Sequence, residues 1–401
     1  MKRILIIVTL WLLSSVAMQV SAQLINVNPD PNGEPWWVGG YELTPEEQAR
    51  LDALPALVPT SKSLSTPLPY KVDNSDSIFF RPIFIQRGGS CAQASGVGYI
   101  FTFMVNRMRG LPADDDHPEN QYPTHFTYNY LNRGSELNGS LHMTGWDIIC
   151  DKGVPNVIEW GGMFGEPTKW MTGYNKYHSA LENRVIIDAY TINCKGPEGV
   201  ETLKHYIHNL AEGDTVKGGG IVGFSVSWGN VDFRKIPLTS PEEADKWIVK
   251  SWGGESGHAM TIVGYNDSIK YDFYGDWEYG AVKVANSWGI NWSNGDSGFV
   301  YMPYRLLGQI NAIKIKEAYA PKVTVKAKIS HPSRNKVNIR AGIAEDASYN
   351  TPTITQNYSA YSLKRGGDLP MQGFNDEPIE IVLDVSDLLI GIIPAKRFFW
   401  K

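Results

Sequence analysis

Residues 282–292 read Val-Lys-Val-Ala-Asn-Ser-Trp-Gly-Ile-Asn-Trp. Residues 282–285 follow the pattern of a β-strand, and the predicted strand closes at Asn286. Trp288 follows shortly afterwards, ahead of a glycine. Taken alone, this segment indicates a polar strand end with an aromatic side chain packed nearby. Two earlier segments, one with a histidine and one with a cysteine, change that interpretation.

The histidine segment covers residues 256–265 and reads Ser-Gly-His-Ala-Met-Thr-Ile-Val-Gly-Tyr. It places His258 at the start of an apolar strand, after the glycine-rich loop Trp252–Glu255. Imidazole titrates near neutral pH and is suited to proton transfer. A single histidine at a strand start is nevertheless usually a polar loop residue, so no function follows from it alone.

The cysteine segment covers residues 86–95 and reads Gln-Arg-Gly-Gly-Ser-Cys-Ala-Gln-Ala-Ser. Apolar residues at helical spacing predict a helix from Cys91 to Met108. The free N–H groups at a helix N-terminus lower the pKa of a thiol, and preceding glycines let a substrate backbone approach. The alternative is an inert, buried cysteine. A nucleophile, a base and an amide that orients the base are what acyl transfer through a thiol requires.

The order of the three segments resembles that of papain-like cysteine peptidases, over about Leu68–Tyr304. The matching motifs are Gly-Ser-Cys after a Gln, then His-Ala, Val-Gly-Tyr, Asn-Ser-Trp-Gly and a further Trp. The resemblance implies that Cys91 attacks the scissile carbonyl and that His258 first pairs with the thiolate and then protonates the leaving amine. It also implies that Asn286 holds the imidazole in place.

The same resemblance assigns roles to the residues around this trio. It implies that Trp288 shields the His–Asn hydrogen bond from water, and that Gln86 and the backbone N–H of the nucleophile form an oxyanion hole. Asn-Gly-Ser stands where the family has Asn-Gly-Gly, so Gly139 and Ser140 are predicted to pair with the substrate backbone. A further substrate contact is predicted at Gly257.

The sequence departs from the family pattern near the nucleophile. The family usually has one more residue between Gln86 and Cys91, and Ala92 stands where an aromatic residue is usual. The cysteines of the family disulfide beside the active site are replaced by Gly88 and Leu137. These departures from the family pattern therefore lie mainly on the side of the cleft where the oxyanion hole is predicted.

The chain as a whole is predicted to be α+β, with a helical lobe, then a β-rich lobe, then a small all-β, sandwich-like domain. The predicted parts are a signal peptide at 1–22, an N-terminal extension or short pro-segment at 23–67, a peptidase domain at 68–318 and a β-rich domain at 319–401. The aromatic run before Lys401 predicts that the last domain is incomplete.

Individual elements are predicted from periodicity and turn residues. Further helices are predicted at Trp146–Asp151 and Val200–Leu210, and a short one after Thr44, a candidate N-cap with Glu47 three residues on. The predicted strands are Gly220–Trp228, His258–Tyr265, Gly280–Ser287, Gly298–Met302, Val323–Ile329, Lys336–Ile343 and Pro378–Val385.

Composition and charge set outer limits on function. Apolar residues make up 42% of the chain and charged residues 20%, which permits a packed core. The formal net charge of −5 disfavours nucleic acid as a partner. Lys2, Arg3 and the apolar run Ile4–Leu13, followed by Val20–Ala22, predict export to a secreted, periplasmic or cell-surface location, without a membrane-spanning segment.

The cysteine and histidine content argues against a network of disulfide bonds and against a metal site. The three cysteines allow at most one disulfide, for example Cys150–Cys194. His205 and His208 lie about one helical turn apart, but no further ligand is spaced to complete a metal site. We therefore predict no metal and no cofactor, and protein or peptide substrates.

The leading hypothesis is a cysteine-type peptidase. The main rival is a non-catalytic module of the same fold that binds peptide or a cell-surface polymer. A third possibility is an exopeptidase or transpeptidase with the same cysteine–histidine pair, which differs only in what blocks or enters the cleft.

Overall fold

The structure is a computed structural model that describes residues 23–25, 36–292, 296–358, 361, 365–389 and 397–400. The predicted signal peptide and the end of the chain at Lys401 lie outside these residues. The helices are α1 (Pro45–Asp52), α2 (Ser61–Ser65), α3 (Cys91–Gln93), α4 (Thr102–Arg109), α5 (Thr124–Leu131), α6 (His142–Lys152), α7 (Val157–Trp160), α8 (Tyr174–Glu182) and α9 (Pro197–Asn209).

The strands form one large sheet and three small ones. They are β1 (Gln23–Ile25), β2 (Trp36–Val38), β3 (Lys71–Asp73), β4 (Val185–Asn193), β5 (Val222–Trp228), β6 (Asp232–Lys235), β7 (Trp247–Ser251), β8 (Ser256–Phe273), β9 (Asp276–Ala285), β10 (Phe299–Pro303), β11 (Gln309–Glu317), β12 (Thr324–Ile329), β13 (Arg340–Ala344), β14 (Ile354–Asn357), β15 (Ile379–Asp384) and β16 (Arg397–Trp400). The large sheet has the order β4-β11-β5-β8-β9-β10-β7-β6, with β3 also paired to β8.

The α+β class is confirmed by these elements, because helices α3 to α8 precede the strands that build most of the large sheet. Strand β8 runs on past the predicted end at Tyr265 as far as Phe273. The extension pairs with β9 and buries Ile269 and Tyr271, two residues apart on the same face.

The helix predicted from Cys91 to Met108 is present, but it is not a regular α-helix. Between α3 and α4 lies a π-helical segment, Ala94–Phe101. Gly98 lets the Phe84 ring come so close that an added Cβ would lie 2.6 Å from it. The helix ends at Gly110, which has φ of 72°. A π-helical turn, such as the one at Ala94–Phe101, is often found in helices that carry functional residues.

The described part of the N-terminal extension, from residue 36 onward, forms regular structure. The predicted capping box is confirmed: Thr44 Oγ1 accepts from the Glu47 backbone N–H (3.2 Å), and Glu47 Oε2 accepts from the Thr44 N–H (3.0 Å). A second short helix, α2, follows, and its Ser63 hydroxyl donates to Asn209 Oδ1 on α9 at 2.7 Å. The extension is therefore packed against the rest of the chain.

The C-terminal strands share a core with the helical lobe. One continuous apolar cluster contains Phe101 and Phe126 from the helices together with Ile343, Ile379 and Ile381 from β13 and β15. The strand predicted at Lys336–Ile343 begins later than expected, since Arg334–Lys336 form a 3-10 turn and β13 starts at Arg340. The turn points the Arg334 side chain inward, where it is fully buried.

All three cysteines are free thiols, so the bridge Cys150–Cys194 is not formed. Within the described residues, no helix combines the length and the apolar character needed to cross a membrane.

Arg334 tests whether the C-terminal strands and the helical lobe unfold together. Its guanidinium lies 4.5 Å from the centroid of the Trp170 ring and donates to the carbonyl of Thr168 at 2.7 Å. We expect Arg334→Ala to lower the free energy of unfolding by about 3 kcal/mol, because it leaves a cavity and unpaired buried carbonyls.

Denaturant unfolding followed by tryptophan fluorescence measures this loss, with the exposed Lys336→Ala as a control that we expect to stay within about 0.5 kcal/mol. A two-step unfolding curve in the parent chain would contradict the shared core.

Candidate active site

Cys91 begins α3 and is almost completely buried, with 4% of its surface exposed. The glycine-rich loop before it is held by the Ser90 hydroxyl, which donates to the Arg87 carbonyl at 2.8 Å. Burial raises the pKa of the Cys91 thiol, even though backbone hydrogen bonds at Ala259 and Gly39 act in the opposite direction. The thiol is therefore protonated in this state of the molecule.

The helix start docks directly on the start of β8. Cys91, Ala92 and Ala259 form a small apolar cluster of their own. One turn further on, the Ser95 hydroxyl donates to the Met260 carbonyl at 2.9 Å. The alanine at position 92, where the family usually has an aromatic residue, thus allows the helix to pack closely against the strand that carries His258.

The His258 side chain is hydrogen-bonded to Asn286. Its Nε2 lies 2.8 Å from Asn286 Oδ1, which also accepts the Ser287 backbone N–H at 2.8 Å. With Nε2 engaged in this way, the imidazole orientation is set. His258 Nδ1 has no hydrogen-bond partner within the described part of the chain, and both His258 and Cys91 line one cavity of about 310 Å³.

Tryptophan rings enclose the imidazole. Trp288 stacks on His258 with ring centroids 4.4 Å apart and an interplanar angle of 19°, and Trp228 contacts it edge-on at 5.2 Å. Trp292 packs in turn on Trp288 at 5.6 Å. His258 is 1% exposed, and this burial lowers its pKa to about 4, so the ring is neutral at pH 7.

Gln86 lies beside Asn286 and Ser287, but its amide group is already engaged. Gln86 Oε1 accepts from the Ser287 hydroxyl at 2.6 Å, and Nε2 donates to the Gly88 carbonyl at 3.1 Å. The shortened connection to Cys91 folds the Gly88 carbonyl back onto this donor. Nε2 carries two hydrogens, so its second N–H is left to donate to a substrate oxygen.

The two positions at which papain-like peptidases carry a disulfide are joined by other means in this chain. Gly88, with φ of 64°, approaches Glu136 so closely that an added Cβ would lie 2.7 Å from the Glu136 carbonyl oxygen. That carbonyl accepts the Gly89 N–H at 2.7 Å. The Tyr128 hydroxyl on α5 lies 2.9 Å from the same oxygen and 2.8 Å from the Asn138 carbonyl. Sequence reasoning missed Tyr128, because nothing local to it indicates this role.

The predicted substrate-binding residues lie on two walls of the cleft. Ser140 is buried, and its hydroxyl accepts from Gln93 Nε2 at 3.0 Å, so its side chain belongs to the wall. Gly139 and Gly257 approach the main chain of residues 39 and 40, where added Cβ atoms would lie 2.7 Å from the Gly40 carbonyl oxygen and 3.0 Å from the Gly39 carbonyl oxygen.

The space between these walls is occupied by the protein's own main chain. Residues 37–41, which we call the N-terminal strap, run across the cleft. The Trp37 carbonyl accepts from Trp288 Nε1 at 2.9 Å, and the Gly139 N–H donates to the Gly40 carbonyl at 3.0 Å. Between them, a Cβ added at Gly39 would lie 2.9 Å from Cys91 Sγ. The strap therefore covers the sulfur.

The strap does not lie as a substrate would. The backbone hydrogen bond at Gly39 presents an amide group to the sulfur, whereas a substrate must present a carbonyl carbon. This contact was not predicted from the sequence. The pair Gly39-Gly40, in a segment rich in proline, asparagine and tryptophan, was the available signal, since adjacent glycines permit a close approach of backbone to another surface.

The remaining candidates stay outside the cleft. In the part of the chain that the structure describes, no group of three or more His, Cys, Asp or Glu residues could hold a metal ion. His205 instead contacts the Ser63 hydroxyl through Nδ1 at 3.2 Å.

Comparison with known proteins adds a likeness in fold. No protein-family model and no curated protein matches the chain. Among solved structures it is similar to xylellain, a cysteine protease from Xylella fastidiosa (19% identity, 69% of this chain and 95% of that chain, TM-score 0.45). It is also similar to procathepsin B S9 from Trypanosoma congolense (13%, 70% and 87%, 0.46) and to a stem bromelain precursor (15%, 65% and 74%, 0.40). Similarity this distant carries no argument about residues or activity.

The buried imidazole predicts how access to Cys91 depends on pH. The pKa of His258 is about 4 in the covered state, against 6.5 for a free imidazole, so protons bind more tightly when the ring is solvated. The covered state is therefore fully favoured above about pH 6.5 and loses stability as the pH falls toward 4. We expect the labelling rate of Cys91 by a thiol-directed epoxysuccinyl reagent, divided by that of Cys150 in the same intact chain, to be higher at pH 5 than at pH 7.5.

Peptide mapping by mass spectrometry at several pH values measures this labelling. Cys150 is the internal comparison, because burial raises its pKa to about 11 and its labelling should only slow as the pH falls. A ratio of Cys91 to Cys150 labelling that is no higher at pH 5 than at pH 7.5 would refute the coupling between protonation and access.

Proposed function

We propose that the chain is a papain-like cysteine peptidase that hydrolyses peptide bonds through an acyl-thioenzyme. One observation supports this above all others. Cys91 at a helix start and His258 at a strand start line one cavity, while His258 Nε2 is held by Asn286 at 2.8 Å. The free Nδ1 is the nitrogen left to exchange a proton with the thiol.

The proposed reaction begins when His258 Nδ1 takes the Cys91 thiol proton. The sulfur then bonds to the substrate carbonyl carbon, the C–N bond breaks, and the leaving amine receives the proton from Nδ1. A water molecule attacks the thioester carbonyl carbon and gives a proton to Nδ1. The C–S bond then breaks, the carboxylic acid leaves, and the thiolate takes the proton back from Nδ1. Asn286 and Trp288 keep the imidazole in place throughout.

The developing oxyanion needs donors, and two are near. The Cys91 backbone N–H belongs to the open first turn of the helix, and Gln86 Nε2 is bound only to the Gly88 carbonyl. The second N–H of that amide is proposed to donate to the oxyanion, which as a charged acceptor makes a stronger hydrogen bond than a neutral carbonyl.

The extension, residues 23–67, is proposed to be a pro-segment that keeps the peptidase inactive. The strap covers Cys91, and burial leaves the thiol protonated and the imidazole neutral. Displacement of the strap would rehydrate both groups and favour the thiolate–imidazolium pair. The signal-like N-terminus further supports export to a secreted, periplasmic or cell-surface location, with peptides or proteins as substrates.

The rival function is a non-catalytic module that uses the cleft to bind peptide. A cleft already filled by main chain suits binding as well as hydrolysis. Hydrolysis and thiol labelling separate the two functions, because a binding module with the strap displaced would be labelled at Cys91 but would cleave nothing. Product analysis on defined peptides separates endopeptidase from exopeptidase or transpeptidase activity.

Displacing the strap by substitution should expose the nucleophile. Gly39→Val places a branched side chain where even a Cβ lies 2.9 Å from Cys91 Sγ and 3.0 Å from the Gly89 carbonyl oxygen. We expect labelling of Cys91 at pH 7.5 to increase at least about tenfold, because overpacking a closed contact costs on the order of 1–3 kcal/mol.

The matched control is Gly308→Val, since a Cβ there meets no atom within 4 Å. Its labelling rate should equal that of the parent. An unchanged rate in Gly39→Val would mean that the strap does not limit access to the thiol.

Hydrolysis should depend on the predicted pair alone. In the Gly39→Val chain, we expect Cys91→Ala and His258→Ala each to reduce the cleavage rate of a fluorogenic peptide mixture at least about a thousandfold, since removal of a nucleophile or its base leaves only residual catalysis. Cys150→Ala should cleave at the rate of its Gly39→Val parent. Absence of cleavage from a Gly39→Val chain that is labelled at Cys91 would favour the binding module.

A further inference from the structure

The strap leads into a contact between the two ends of the chain. Tyr41, at the end of the strap, donates its hydroxyl to Glu47 Oε1 at 2.5 Å. Arg365 lies more than three hundred residues further along the chain and donates Nη1 to the Tyr41 hydroxyl at 3.0 Å. The same Nη1 forms an ion pair with Glu47 Oε1. We call Tyr41, Glu47 and Arg365 the latch.

The latch is partly buried, with Glu47 at its centre, and has its own support. Glu47 is 7% exposed, although it lies on a helix of the surface. Its second oxygen, Oε2, accepts the Thr44 N–H, so the capping box and the latch use different atoms of one carboxylate. The Arg365 carbonyl accepts the backbone N–H of Arg133 at 2.6 Å, which fixes the base of the arginine.

The latch lies one residue beyond the part of the strap that covers the sulfur. Gly40 alone separates Gly39 from Tyr41, and a Cβ added at Gly139 would lie 3.1 Å from the Tyr41 Cβ. Two adjacent glycines lose more conformational freedom on ordering than other residues, and they bring no side chain to pack. A strap of this composition needs an anchor beside it, and the latch supplies one.

Among the described residues, a second ion pair joins the extension to the body of the protein and is more exposed than the latch. Arg50 forms two hydrogen bonds with Asp147, at 2.5 and 2.6 Å, but the two side chains are 51% and 31% exposed. Exposed pairs contribute about 0–1 kcal/mol, whereas removing one partner of a buried pair costs several. The pair of Arg50 therefore serves as the natural control for the latch.

We propose that the C-terminal region, through Arg365, forms a docking surface whose partner is the chain's own N-terminal extension. Arg365 receives Tyr41 and Glu47 and thereby holds Gly39 against Cys91. The inference deepens the proposed function, on which its regulatory meaning rests, but the docking itself concerns access to a thiol and does not require catalysis. It gives a role to the C-terminal region, which the sequence motifs of the cleft leave without one.

The test uses the full-length chain and iodoacetamide, a small alkylating reagent that reports access to Cys91 without catalysis. Arg365→Gln keeps a long polar side chain and removes the charge. We expect it to raise the alkylation rate of Cys91 at pH 7.5 at least about tenfold, while Arg50→Gln raises it less than about twofold. Glu47→Gln combined with Arg365→Gln should raise the rate no further than Arg365→Gln alone, because both changes break the same contact.

Tyr41→Phe provides an independent reading. It keeps the ring packing and removes only the hydroxyl, so it reports on the latch even if Arg365→Gln unfolds the chain. An unchanged Cys91 alkylation rate in Tyr41→Phe, or in a folded Arg365→Gln, would overturn the proposal. Faster alkylation without any peptide cleavage would leave the latch standing and would count against the proposed peptidase activity.

Discussion

The docking of the helix that begins at Cys91 onto the start of β8 is the contact on which the rest of the cleft depends. Ala92 against Ala259 allows the close approach, and the Ser95 hydroxyl fixes the helix to the Met260 carbonyl. This contact brings a residue from the helical lobe beside His258 on the sheet. Because β8 pairs with β9, Asn286 at the end of β9 reaches His258 without any further loop.

The burial that brings Cys91 and His258 together also disfavours the charged form of each. A thiol and an imidazole react as an ion pair only where the charged forms are solvated or paired, and a dry contact disfavours both charges. The strap completes this dry environment with main chain alone, since glycine leaves room for the sulfur. Desolvation and steric cover therefore act together, and one displacement would reverse both.

The departures from the family pattern have a common physical explanation. Where the family has a disulfide, this chain has a glycine with positive φ that brings two backbones into hydrogen-bond contact, with Tyr128 beside them. Where the family has an aromatic residue, Ala92 packs against Ala259. The Gln86 connection is shorter, and its amide donates to the neighbouring Gly88 carbonyl. The first two changes put close packing in the place of a disulfide and of a bulky ring. The third joins the Gln86 side chain to the main chain at Gly88.

The sequence by itself determined the α+β class, the capping box at Thr44 and the three segments that carry Cys91, His258 and Asn286, because these depend on local periodicity and on motifs of fixed spacing. Only the tertiary structure decided the late start of β13, the role of Tyr128, the strap over Cys91 and the contact of Arg365 with Glu47. Those features join residues far apart in the chain, and their energies come from burial and close packing. A single sequence carries no record of which distant surfaces meet.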